Sequence, residues 1–156
     1  VEGLGLSYLP PLSRMERSMS DAEQNVSVLK QAYVKWSQTK GASADDWAAI
    51  FADNFKFGSI AQGGHGAPYL KSYQSRDQLK QYFGGLLQDW DMLEYTTDHF
   101  IAQDDRVVMI GHCSWRNKRT GKVVSTPKAD SWRFADGKAV EFYEFYDTAQ
   151  LSAATV

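Results

Sequence analysis

The chain has 156 residues, 43% of them apolar and 23% charged, with a net charge of −2 and an isoelectric point near 5.9. That balance fits one soluble globular domain with a real core, and the scattered Lys and Arg give no footprint for nucleic acid or an anionic membrane. The single cysteine, Cys113, excludes an intramolecular disulfide and a cysteine zinc cluster, and fits a reducing, cytoplasmic setting.

Residues 1–19 begin without Met and contain Met15 and Met19, so they are expected to be an extension outside the fold, disordered or of foreign origin. They hold no apolar run long enough for a signal-peptide core, and nowhere do about 18 apolar residues follow one another as a membrane span requires. Ser20 and Glu23 read as a capping box, and Val26, Leu29, Tyr33 and Trp36 then recur at helical spacing to about Gln38. Gly41 breaks that helix. Ser43 to Asp46 offers a second cap, with Trp47, Ile50 and Phe51 on one face of a short helix ending near Asp53.

The stretch NFKFGSIAQ alternates as a short strand, and residues 62–74, rich in glycine and aromatic residues, read as a loop. Its GGHG run lacks the Lys-Ser/Thr of a phosphate loop and is expected to be a flexible lid, with His65 solvated. Ser75 and Gln78 cap a third helix carrying Leu79, Phe83, Leu86 and Trp90, in which Gly84 and Gly85 would let another backbone approach. From Met92 on, strands over 92–103, 106–118, 122–135 and 138–147 alternate with turns at Asp104-Asp105, Arg119 to Gly121 and Asp136-Gly137. Turns this short imply an antiparallel meander. Helices first and a sheet after give an α+β domain over residues 20–151, with a tail at 152–156.

In ADSWRF, side-chain alternation puts Asp130 on the face of Trp132 and Phe134. A carboxylate on an aromatic face is costly unless paired or protonated, so Asp130 is either matched to Lys128 or Arg133 or begins a site. His65, His99 and His112 lack ligand-like spacing, and no metal site is expected. There is no nucleophile elbow and no dinucleotide fingerprint.

With this order of elements, WAAIFADNFKF, SWRFADGKAVEFYEFYDT and the closing DTAQL make residues 22–151 resemble the nuclear transport factor 2-like superfamily, which includes ketosteroid isomerases, SnoaL-type cyclases and scytalone dehydratase. The resemblance implies three N-terminal helices packed on a curved, mostly antiparallel sheet, a cone-shaped half-barrel with an internal cavity. It implies that Tyr33 stands where the isomerase oxyanion-hole Tyr would, and that Asp130 matches that enzyme's protonated Asp. Ser59 replaces the isomerase base on the first strand, so a base must come from elsewhere. The cyclase pattern places Glu144 at the general-base position, on a face with Val140, Phe142 and Tyr146. The dehydratase-like DHFIAQ suggests His99 instead.

In a cone fold, Trp115, Trp132, Phe134, Phe142 and Tyr146 would pack and line the cavity, favouring an apolar or aromatic ligand. The expected function is cofactor-independent proton transfer, as in a lyase, isomerase, cyclase or epoxide hydrolase. Glu144 or His99 would be the base, and Asp130 with Tyr33 would donate to a developing oxyanion. The alternative is a module of the same fold that binds or dimerises without turnover. Tyr143 and Phe145 on the opposite sheet face suggest a homodimer.

Overall fold

The computed structural model describes residues 19–156. The expected extension therefore lies outside the described residues, apart from Met19, which is exposed beside the first cap. The capping box forms: the Glu23 N–H donates to Ser20 Oγ at 3.2 Å, and the Ser20 N–H donates to the Glu23 carboxylate at 3.0 Å. It opens helix α1, Asp21–Gln38, which buries Asn25, Leu29, Tyr33 and Trp36, while Val26 is only partly covered. Helix α2, Ala44–Ile50, begins after Ser43, whose hydroxyl makes no cap bond; the N–H groups of Asp46 and Trp47 donate to the Ser43 carbonyl instead. Phe51, expected inside this helix, opens strand β1, Phe51–Ser59.

Ser75 caps helix α3, Arg76–Asp89, which buries Leu79 and Tyr82. Trp90, expected on its apolar stripe, already belongs to β2, Trp90–Gln103. Strands β3, Arg106–Asn117, β4, Val123–Ala135, and β5, Lys138–Phe145, follow as the turn signals predict. A fourth helix, α4, Thr148–Ala154, runs into the expected tail and buries Leu151 and Ala154. Asp147 caps it by accepting from the Gln150 N–H at 3.1 Å.

The sheet order is β1-β5-β4-β3-β2, antiparallel except that β1 runs parallel to β5. The architecture is α+β, a curved and unclosed sheet with helices against it. Irregularities in the ladders supply the bend: β2 shifts register between Met92 and Glu94 and again between Thr97 and His99, and β5 shifts around Val140. The last shift turns Ala139 inward, fully buried, and takes Val140 off the face that Phe142 and Glu144 share. The edge of β1 is partly covered by residues 73–74, since Phe57 and Tyr73 exchange backbone hydrogen bonds at 2.9 and 3.0 Å.

The GGHG run, expected as a flexible lid with His65 solvated, is fastened in place. The Gly63 N–H donates to the Leu70 carbonyl at 2.7 Å, and His65 Nδ1 meets Ser152 Oγ at 2.6 Å, so the GGHG run is tied to α4 instead of standing free. What approaches the glycine pair of α3 is a ring, not a backbone. A Cβ on Gly85 would lie 2.4 Å from Tyr69 Cγ and Cδ1, whereas one on Gly84 would meet nothing within 4 Å. Neighbouring substitutions therefore have opposite signs. Gly84→Ala should stabilise the protein by about 0.5–1 kcal/mol through helix propensity. Gly85→Ala should cost about 1–3 kcal/mol through overpacking, as read by urea denaturation.

Candidate functional site

The inner face of β4 presents Val124, Thr126, Lys128, Asp130 and Trp132 in succession, and the strand register sets what lies beside each. Trp132 pairs with Phe142, Asp130 with Glu144, Thr126 with Cys113 and Val124 with Trp115. One end is solid. Trp132 stacks on Trp47 with ring centroids 5.6 Å apart and meets Phe142 at 4.6 Å and Phe51 at 5.5 Å. From Asp130 to Val124 the face spans roughly 20 Å at the usual rise per residue, and along it lies a cavity of about 100 Å³. Trp36, Phe83, Leu86, Trp115 and Leu151 line its apolar end.

Three charged side chains line this cavity, and they touch. Lys128 Nζ donates to Glu144 Oε2 at 2.5 Å and lies 3.1 Å from Asp130 Oδ1, near enough for an ion pair but out of line for a hydrogen bond. Tyrosines complete the cluster. Tyr82 of α3 donates to both Glu144 oxygens at 3.0 Å. Asp130 Oδ2 accepts from Tyr33 of α1 at 2.5 Å and from Tyr95 of β2 at 3.3 Å, and the Trp132 Nε1–H donates to the Tyr33 hydroxyl at 3.0 Å. Asp130 Oδ1 is left without a hydrogen-bond partner, one of two such buried side-chain oxygens among the described residues, the other being Ser43 Oγ.

Burial raises the Asp130 pKa, Lys128 opposes the rise and Glu144 reinforces it. For Lys128, burial works against the charge, but Asp130 and Glu144 outweigh it and hold the pKa well above that of an ordinary lysine. The ammonium is thus kept protonated and has no free amine for a Schiff base. Burial, followed by a neighbouring carboxylate, holds Tyr33, Tyr82 and Tyr95 well above the usual phenol range. Burial also pushes the Cys113 thiol up to about 11, so it is no thiolate at neutral pH.

Tyr33, Asp130, Glu144, Trp115, Trp132, Phe142 and Tyr146 all line the cavity. Ser59 is buried behind it, sharing a 2.6 Å hydrogen bond with the Tyr146 hydroxyl, and Phe134 stacks beyond Trp132 at 6.3 Å without reaching it. His99 does not join them. The two β2 shifts turn Phe100 inward onto Tyr33, with rings 5.8 Å apart, and leave His99 exposed on the outer face. Sequence reasoning passed over Lys128 as a functional group, although its i, i+2 spacing to Asp130 placed both on one face. Tyr82 and Tyr95 carried no such signal, because helix and strand patterns do not distinguish a core tyrosine from a hydrogen-bond donor. Among the described residues, no group of three or more His, Cys, Asp or Glu could hold a metal ion.

The domain is thus a curved α+β half-barrel whose cavity is lined by aromatic side chains and holds two carboxylates and one ammonium. Residues 32–142 match the SnoaL-like domain, and the chain belongs to that family. Its fold is that of the nuclear transport factor 2-like proteins. One solved structure, a protein of unknown function from Burkholderia pseudomallei, is 18% identical with a TM-score of 0.75, over 88% of this chain and 99% of that one. A second, from Burkholderia thailandensis, is 26% identical with a TM-score of 0.73, over the same shares. TerC, crystallised with polyporic acid, is 17% identical with a TM-score of 0.72, over 85% of this chain and 98% of that one. No protein of curated function matches the sequence.

The raised groups fix the sign of the alkaline response. Tyr33, Tyr82, Tyr95 and Lys128 would lose protons in the unfolded chain near pH 10 but keep them in the native state. Their contribution is fully present below about pH 10 and is lost as pH rises through the folded values. Burial raises Tyr69, Tyr73, Tyr146 and Cys113 as well, so unfolding free energies from urea titrations between pH 8 and 11.5 should fall steeply above about pH 10, with a slope of roughly four protons per molecule or more.

Proposed function

We propose that the protein is a cofactor-independent general acid/base catalyst acting on a small, largely apolar molecule in this cavity. One observation carries the reading: Lys128 bridges two buried carboxylates whose other partners differ. Glu144 accepts from Lys128 and Tyr82, which suits the base that takes a proton from substrate carbon or from water. Asp130, whose pKa burial raises, suits the acid that gives a proton to a developing oxyanion, and its Oδ1, which lies 3.1 Å from Lys128 but makes no hydrogen bond, is the atom that would do so.

The same pair serves isomerisation, elimination, cyclisation or opening of an epoxide by an activated water. The direction follows from the substrate, since microscopic reversibility lets each carboxyl act both ways. Small ligands in neighbours of this fold, such as polyporic acid in TerC, are in keeping with a small-molecule role.

Purified protein should be offered cyclic enolisable ketones in deuterated water, and small aryl epoxides in ordinary water. Deuterium exchange or hydrolysis by the wild type should fall about 10²–10⁴-fold in Glu144→Gln while ligand binding is retained. Binding with no turnover in the wild type would leave a non-catalytic ligand-binding module.

The outer sheet face supports a second, separate proposal, a homodimer. Tyr143 and Phe145 lie 4.9 Å apart there, Phe145 is 44% exposed, and strand pairing extends its row through Ala129 to Ile110, itself 38% exposed. Sedimentation equilibrium should return about twice the 17.6 kDa chain mass, and Phe145→Lys should return the monomer.

A further inference from the structure

We infer that the cavity selects uncharged, single-ring molecules bearing one terminal hydroxyl or carbonyl oxygen, and rejects the corresponding carboxylates. The inference rests on the small-molecule reading above and names the ligand class. The first argument is size. About 100 Å³ admits no more than one ring, since an engineered cavity half as large again, about 150 Å³, takes a single benzene.

The second argument is charge. The charged lining is one ammonium and two carboxylates, and Lys128 is already engaged by both. A ligand carboxylate would add an anion where the single cation is already shared by Glu144 and Asp130, and a ligand ammonium would sit beside Lys128. A neutral oxygen avoids both penalties. Asp130 Oδ1, in a side chain 1% exposed and without a hydrogen-bond partner, is its anchor. When ionised that oxygen accepts from a hydroxyl, and when protonated it donates to a carbonyl.

The third argument is polarity along the cavity. Both lone-pair directions of Oδ2 are taken by Tyr33 and Tyr95, whereas Oδ1 makes no hydrogen bond and meets only the Lys128 ammonium, at 3.1 Å, which leaves it one lone-pair direction for a ligand. Moving along β4 from Asp130 past Lys128, the walls are Cys113 and Thr126, whose hydroxyl already donates to the Pro127 carbonyl and accepts from the Asp147 N–H, and then Trp115, Val124, Leu86 and Leu151. A polar group at the ring's far end would lose its water there without compensation. One polar terminus is therefore favoured over two.

All five tryptophans of the chain, Trp36, Trp47, Trp90, Trp115 and Trp132, line the cavity, so intrinsic fluorescence reports occupancy directly. Toluene, 4-methylphenol and 4-methylbenzoate should be titrated at pH 7. The phenol should bind at least tenfold more tightly than either of the others. Equal binding of toluene and the phenol would overturn the oxygen anchor, and tightest binding of the benzoate would overturn the charge selection. No fluorescence response to any of the three would instead sink the small-molecule reading beneath it. Pentafluorophenol, which carries one oxygen and no polar group at its far end, then tests charge at constant shape, because its ultraviolet absorbance reports its ionisation. Its bound form should show the neutral spectrum, and its affinity should fall about tenfold per pH unit above its own pKa. A bound phenolate spectrum would overturn the inference.

Discussion

A single ammonium holds two carboxylates together inside the sheet. Asp130 and Glu144 face each other across paired strands, and both are almost fully buried. Two adjacent anions in such a place could not both stay ionised without a cation between them. Lys128, two residues from Asp130 on the same face, supplies it, at the cost of its own desolvation. The remaining lone pairs draw in hydroxyls from three other elements: Tyr33 from α1, Tyr82 from α3 and Tyr95 from β2. Helix docking and the electrostatics of the site are thus one problem. A change in how α1 or α3 lies on the sheet would strand a buried polar group, which gives these helices a defined seat that apolar packing alone would specify less sharply.

The arrangement also divides labour between chemically similar groups. Asp130 receives two phenolic donors on one oxygen and none on the other, while Glu144 receives Tyr82 and Lys128 together. Trp132 links this division to the solid end of the molecule. Its ring packs on Trp47, Phe51 and Phe142, while its indole N–H fixes the Tyr33 oxygen, whose single hydrogen then points at Asp130. One side chain is both wedge and orienting donor.

Much of this was legible because period-two alternation is a local property. Asp130 beside Trp132, and Glu144 beside Phe142, follow from strand geometry wherever the sheet sits. The turn residues Asp104-Asp105 and Asp136-Gly137 marked the hairpins for the same reason. What local pattern could not supply is anything that depends on a ladder irregularity or on a partner distant in sequence. His99 faces outward because β2 shifts register twice, and Val140 leaves the inner face because β5 shifts once. Tyr82 reaches Glu144 across 62 residues of chain, and Tyr95 reaches Asp130 across 35. The fourth helix was hidden by its seven-residue length and by a composition of small residues that reads as a tail.

The register shifts of β2 have another effect, at the margin of the sheet. β1 at the opposite margin is partly paired with residues 73–74, so β2, fourteen residues long, carries the row of backbone groups that no described strand pairs, of which the Leu93 and Tyr95 carbonyls accept from the Lys40 and Ser37 side chains. A flat edge of that length is a template for a strand of another chain, the usual route to edge-to-edge aggregation. Two bulges within ten residues interrupt the regular spacing of those groups and twist the edge away from a straight partner. The same irregularities that bend the sheet around its cavity therefore also protect the molecule from its own kind at high concentration.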